Sequence, residues 1–113
     1  MNLSEVQDWE INFYSKRGWK DLGPFIRAGF LMEEVGEVSR AVRAYEIGRD
    51  HPEERKKSKS EIRQNLAEEM GDVLSNLAVL AGLYHISLEE IVRAHQDKLK
   101  KRFKNSNSKG EEA

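Results

Sequence analysis

Apolar residues recur at the three- and four-residue spacing of one helix face in four segments of the chain. Polar or glycine-containing stretches separate these segments, and the whole sequence contains only two prolines. The pattern predicts four helices, from Ser4 to about Lys16, from Pro24 to about Tyr45, from about Ser60 to Ala81 and from Ser87 to about Phe103.

Residues typical of helix starts occur at three of the four predicted starts. Ser4 followed by Gln7, and Ser87 followed by Glu90, fit the capping box, in which each side chain accepts a bond from the other residue's backbone N–H. Pro24 suits a first helical turn, because the N–H that proline lacks has no partner there.

The chain has 113 residues, which is enough for one domain with a modest core. We therefore expect an all-α fold, an antiparallel bundle of about four helices that forms one domain over residues 1–104. So small a bundle is expected to bury further surface by dimerising. Residues 46–60 are predicted to form a mobile connection or a lid, and residues 105–113 a disordered tail.

An acidic motif occurs twice in this pattern. Residues 31–38 and 66–73 share the frame L-x-E-E-x-G-acid-V, which places two acids three residues apart in each copy, Glu34 with Glu37 and Glu69 with Asp72. On a helix this spacing puts both carboxylates on one face, where like charges repel. A bound cation would compensate the repulsion.

Each copy also has a glycine between its paired acids, Gly36 and Gly71. Glycine inside a helix costs about 1 kcal/mol relative to alanine, so two matched glycines indicate a packing role. We expect two antiparallel helices to meet at these glycines, so that four carboxylates surround one small volume. A solvated acidic face would explain one copy alone, whereas two matched copies favour a site.

Four carboxylates without a soft ligand describe a site for a hard cation, and Mg²⁺ is the best fit. Di-iron helical bundles use Glu-x-x-His motifs, and no histidine of this chain follows a glutamate at that spacing. The phosphate loop G-x-x-x-x-G-K-[ST] does not occur either. If the ligand of this site is a nucleotide, its phosphates would therefore bind through the metal and basic side chains.

Three further side chains have two interpretations each. Asn76 continues the acidic stripe by one turn, as either a hydrogen-bonded buried amide or a ligand contact. Lys98 and Arg102 share one helix face, where solvated basic residues complement the helix dipole and a two-pronged phosphate contact is the alternative.

Composition narrows the functional classes. The formal net charge of −1 gives no general attraction to nucleic-acid polymers. No segment approaches the roughly 18 apolar residues of a membrane span, and the N-terminus lacks the features of a signal peptide. With no cysteine for disulfides, we predict a cytoplasmic protein that binds neither nucleic-acid polymers nor membranes.

The combined motifs resemble the MazG-like, all-α nucleoside triphosphate pyrophosphohydrolases. The similarity extends from the first helix to about Phe103 and includes the two acidic motifs, the turn at residues 86–90 and the Lys98/Arg102 pair. The resemblance implies a homodimer or homotetramer with sites at or near the interface. It also implies Mg²⁺-dependent cleavage between the α and β phosphates, with Mn²⁺ as a possible substitute.

By position, the resemblance assigns four acids as metal ligands and catalytic residues, Glu34, Glu37, Glu69 and Asp72. Glu68 would be a catalytic acid that orients water or metal. Asn76, Lys98 and Arg102 are the predicted substrate-binding residues, and the two basic ones would contact phosphates.

Two positions depart from the family pattern, Phe30 where a basic residue is common and His95 where asparagine is common. Both concern substrate contacts rather than metal ligands. The predicted function is hydrolysis of a (d)NTP to a (d)NMP and pyrophosphate, in house-cleaning of non-canonical or excess nucleotides. The alternative is a non-catalytic helical module that binds metal or a protein partner.

Overall fold

The computed structural model describes residues 1–48 and 57–104, and within these ranges it contains helices and no strand. The helices are α1 (Leu3–Lys16), α2 (Pro24–Ile47), α3 (Lys59–Leu83) and α4 (Leu88–Phe103), with a short 3₁₀ helix at Trp19–Leu22. The predicted all-α class with four main helices is confirmed. Residues 49–56 of the predicted mobile connection and the predicted tail at 105–113 lie outside the described residues.

The cap residue agrees with the sequence at α4 and differs at α1. Ser87 caps α4, because its hydroxyl accepts a hydrogen bond of 3.0 Å from the Glu90 N–H, which is one of the two bonds of the predicted capping box. The prediction that Ser4 caps α1 is wrong, since Asn2 forms a reciprocal capping box with Glu5. Asparagine caps as well as serine, and here it stands three residues before a glutamate.

Helices α2 and α3 pack against each other as an antiparallel hairpin. Near the start of α2, Arg27 bonds to Asn76 on α3, and seven residues further along α2, Glu34 lies beside Glu69. Residue numbers therefore increase along α2 in the direction in which they decrease along α3, as expected for antiparallel helices. This register brings the two acidic motifs opposite each other.

Helix α1 packs on the C-terminal half of α3. A Cβ at Gly82 would lie 2.6 Å from Cδ1 of Ile11, so any larger residue at position 82 would displace the end of the Ile11 side chain. The Ser75 hydroxyl lies 2.7 Å from Oε1 of Glu10 and 2.9 Å from the Tyr14 hydroxyl. Apolar and polar contacts together hold α1 along α3.

Gln7 joins three chain segments through its buried amide. Its Nε2 donates to the carbonyl oxygens of Ala78 and Ile86, both at 3.1 Å, and its Oε1 accepts from the Leu88 N–H at 3.1 Å. The last two groups belong to the turn into α4 and to its first residue, where backbone groups lack helical partners. Gln7 therefore positions the start of α4 rather than capping α1.

The buried apolar core of the described chain is small. It consists of Ala41, Ala78, Val79, Ala81 and Leu88, and Val79 is the largest fully buried side chain. Many larger apolar side chains remain exposed, among them Met32 and Met70.

Within the described ranges, no single helix has the length and apolarity of a membrane span. Only α3 and α4 together, bent by 97° at their junction, meet these criteria of length and composition, which core helices of soluble proteins also meet.

We predict that Gln7→Met destabilises the fold by about 1–3 kcal/mol, because methionine fills the space but leaves buried backbone groups without their partner. Urea unfolding followed by circular dichroism, at one fixed protein concentration, measures the change. Gln64→Met is the matched control, since Gln64 is exposed and its amide bonds to the side chain of Glu68, which is also exposed. Equal stability of both variants would contradict the assigned role of Gln7.

Candidate metal centre

Three carboxylates from two helices converge in the hairpin. Glu34 on α2 and Glu69 and Asp72 on α3 each offer one oxygen, and these oxygens all lie within 4.8 Å of one another. Glu34 and Glu69 are half-buried, whereas Asp72 is exposed. The group is therefore open to solvent on one side.

The three oxygens are close enough to be drawn together around one cation. Magnesium takes oxygen ligands at about 2.1 Å in an octahedron, so neighbouring ligand oxygens lie about 3.0 Å apart and opposite ones about 4.2 Å. The separation of up to 4.8 Å exceeds both values, so the side chains would rotate inward on binding the ion. All three donors are hard carboxylate oxygens, and the open side leaves room for the waters and phosphates that Mg²⁺ usually retains.

The electrostatics of the group favour a cation. Burial raises the pKa of Glu34, and repulsion from Asp72, Glu69, Glu37 and Glu33 raises it further. Burial likewise raises the pKa of Glu69, with repulsion from neighbouring carboxylates in addition and a smaller opposing effect of Arg40. A divalent cation would relieve both the repulsion and the loss of hydration.

The structure places the other two predicted acids beside this group. The carboxylate of Glu37 lies one turn along α2 from Glu34, with its Oε1 3.9 Å from Nε of Arg40. The exposed carboxylate of Glu68 accepts a hydrogen bond of 3.1 Å from Gln64. Metal contact by Glu37 and a catalytic role of Glu68 stay predictions.

The expectation that the helices meet at Gly36 and Gly71 is wrong. A Cβ at either position would have no neighbour within 4 Å, and both glycines are exposed. Although α2 and α3 do pack as antiparallel partners, their contact is made by other residues. The two glycines instead lie on an exposed part of the hairpin surface.

Asn76 is a buried and hydrogen-bonded amide, one of its two expected roles. Its Oδ1 accepts a bond of 2.9 Å from Arg27, and its Nδ2 donates to the Asp72 carbonyl oxygen at 2.9 Å. The second bond lies within α3, directly at a predicted metal ligand. Contact of Asn76 with substrate stays a prediction.

Arg27 is the residue near this site that the sequence analysis missed. Only 4% of it is exposed, and its guanidinium donates to Asn76 and, at 2.6 Å, to the Trp19 carbonyl oxygen. One signal was present in the sequence. Arg27 precedes Glu34 by seven residues, so it lies two turns from Glu34 on the same face of α2. Asn76 follows Glu69 by seven residues, so it lies two turns from Glu69 on the same face of α3.

The structure does not join Lys98 and Arg102 to the acids. Both are exposed on α4 and line a shallow depression with Ala94, Asp97 and Lys101. Helix α4 packs mainly on α1, whereas the acids belong to α2 and α3.

We predict that Glu69→Gln stabilises the metal-free protein at pH 7. Because folding raises the pKa of Glu69, the stability that this side chain contributes is fully present below its ordinary pKa of 4.5 and is lost as the pH rises through the pKa of the folded protein. Relief of about 0.2–0.5 kcal/mol of repulsion corresponds to a melting temperature roughly 1–3 °C higher.

Thermal melting in chelator at a series of pH values measures this effect, with Asp8→Asn as the control because Asp8 is an exposed acid on α1. A gain that grows with pH is expected for the Glu69 variant alone. A loss of stability at pH 7 would show that the carboxylate is not under repulsion.

Two comparisons with known proteins found relatives of this chain. The MazG nucleotide pyrophosphohydrolase domain matches residues 27–106, which include both acidic motifs. A protein of Bacillus subtilis (strain 168), the uncharacterized protein YvdC, is 58% identical over 106 residues, covering 94% of this chain and all of its own length. No solved structure shows significant similarity to the chain. The match over most of the chain shows that it belongs to the MazG nucleotide pyrophosphohydrolase family.

Proposed function

We propose that this protein hydrolyses nucleoside triphosphates, (d)NTP, to the monophosphate and pyrophosphate in a reaction that depends on Mg²⁺. The observation that carries the proposal is the convergence of Glu34, Glu69 and Asp72 from two helices in a chain of this family. The biological role that fits is removal of non-canonical or excess nucleotides.

The acids would hold the cation, with Glu37 completing the set after a rotation away from Arg40. When bound, Mg²⁺ neutralises phosphate oxygens and lowers the pKa of water. Mn²⁺ has similar ligand preferences and is expected to substitute. Glu68 stands next to Glu69 and is exposed, and in this proposal it would orient a water molecule or accept its proton.

The predicted phosphate contacts, Lys98 and Arg102, need a route to this site. Since α4 packs mainly on the α1 of its own chain, a second copy is the simplest way to complete the substrate site. We therefore propose a homo-oligomer in which copies associate near the acids.

Exposed apolar residues support association of copies through the α2–α3 hairpin. On α2, Met32, Val35 and Val42 share one helix face and are 69%, 45% and 42% exposed. Met70 and Leu74 on α3 are exposed by 51% and 47%. Gly36 and Gly71 lie on open surface of the same hairpin, where the lack of a side chain allows another backbone to approach closely.

We predict pyrophosphate release when the purified protein is incubated with Mg²⁺ and a panel of canonical and modified (d)NTPs. Asp72→Asn and Glu37→Gln should each lower turnover at least 100-fold, because each removes a charge from the cation site, while circular dichroism stays unchanged. Asp8→Asn on α1 serves as the control and should retain wild-type turnover.

Full turnover in the Asp72 variant would contradict its role as a ligand. If the wild type released no pyrophosphate with Mg²⁺ or Mn²⁺ from any nucleotide, the alternative of a non-catalytic metal-binding or protein-interaction module would remain.

We predict that light scattering after gel filtration gives at least twice the mass of one chain for the wild type. Met32→Glu should shift the protein towards the monomer, because it places a charge in the apolar contact. Ile47→Glu is the control, since Ile47 is 75% exposed but lies fifteen residues, about 22 Å, beyond Met32 at the end of α2. A monomeric wild type would refute the proposed association.

A further inference from the structure

Phe30 lies beside the metal centre on the same face of α2. It precedes Glu34 by four residues, so it is one turn, about 6 Å, closer to the helix start. It remains 37% exposed although it is a large aromatic residue. An uncharged ring at this position cannot pair with a phosphate, but it can stack.

Arg27 supports this ring from within the protein. The centre of its guanidinium lies 5.3 Å from the Phe30 ring centroid and 4.8 Å from that of Tyr14. Its hydrogen bonds to Asn76 and to the Trp19 carbonyl oxygen hold the guanidinium in place. In the described part of the chain, no carboxylate lies within ion-pair distance of Arg27, so its charge faces rings and neutral oxygens.

Further contacts fix the side chains around Arg27. The rings of Tyr14 and Trp19 meet edge to face, with centroids 5.4 Å apart and planes at 87°. The Tyr14 hydroxyl also lies 2.9 Å from Ser75 on α3. Phe30 therefore contacts a cation that is fixed from two further helices, which makes the ring a preorganised surface rather than a loose side chain.

Other aromatic residues are less suited to contact a ligand of the metal centre. Helix α3 contains no aromatic residue, and Tyr45 on α2 lies eleven residues beyond Glu34, about 16 Å along the helix. Trp9 stacks on Phe13 at 5.2 Å within α1.

We propose that Phe30, supported by Arg27, stacks on the base of the nucleotide whose phosphates are held at Glu34, Glu69 and Asp72. This inference rests on the proposed function, because it assumes that the phosphates lie at that group. Stacking is sequence-tolerant, since every base presents a π-face, so this contact accepts purines and pyrimidines alike. The positive charge of Arg27 behind the Phe30 ring withdraws electron density from the ring. This favours stacking of an electron-rich base on its other face.

The test compares Phe30→Leu with the wild type. Loss of one stacking contact is expected to raise KM for NTPs roughly 5- to 150-fold with little change in kcat. Phe30→Trp should restore the wild-type KM, which a purely structural role would not predict. Tyr45→Leu is the matched control because Tyr45 is on the same helix and is also 37% exposed.

Two binding measurements isolate the base. The fluorescence of a nucleoside monophosphate that carries the base 2-aminopurine should be quenched on binding to the wild type. At equal saturation, Phe30→Leu should quench this fluorescence less. Ribose 5-phosphate, which lacks a base, should bind both proteins equally, and light scattering should give both the same mass.

The outcomes separate this inference from the proposed function. If the wild type releases pyrophosphate but Phe30→Leu has an unchanged KM and unchanged quenching, the stacking role is refuted and the enzyme assignment stands. If Phe30→Leu weakened the binding of ribose 5-phosphate as much as that of the nucleotide, or changed the mass of the protein in solution, Phe30 would support the fold or an interface instead. If the wild type shows no turnover, the enzyme assignment fails, and the quenching measurement still decides whether Phe30 contacts a base.

Discussion

The candidate site depends on the antiparallel register of α2 and α3. Each helix alone carries acids on one face, but only the pairing of Glu34 with Glu69 and Asp72 brings three oxygens within 4.8 Å. A shift of one turn would move one helix by about 5.4 Å relative to the other and separate the oxygens beyond the reach of one ion. The contact between Arg27 and Asn76, two turns away, ties the helices in this register.

Holding these carboxylates together opposes folding in the absence of metal. Burial and mutual repulsion raise the pKa of Glu34 and Glu69, so their charged forms are disfavoured in the folded chain. Proteins commonly tolerate such local instability where function requires it, and other contacts offset it. Here the offsetting contacts include the amides of Gln7 and Asn76, which satisfy backbone groups of α3, of α4 and of the turn between them.

The small core and the open hairpin face have a common explanation in the proposed association. A chain whose fully buried apolar residues are mostly alanines gains limited stability from its own packing. Exposed residues such as Met32 and Met70 would supply the missing apolar burial between copies. The open surface at Gly36 and Gly71 lies on the same hairpin, so association there would add the apolar burial that the single chain lacks.

The amino-acid sequence by itself determined the all-α class, four helices within a few residues of their ends, and the acidic motifs. These features depend on local spacing, because apolar periodicity and acids three residues apart act within one helix. The cap at Asn2 was missed although it is also local, since two overlapping capping patterns compete at the start of α1.

Only the tertiary structure decided which groups meet across helices. Glu37 points towards Arg40, Gly36 and Gly71 face open space, and Gln7 joins α1 to α3 and the start of α4. Arg27 is buried with no carboxylate partner among residues 1–48 and 57–104, which composition and periodicity would not suggest for an arginine. Such contacts depend on the register and rotation of whole helices, and these follow from the packing of many side chains at once rather than from the spacing within any single segment.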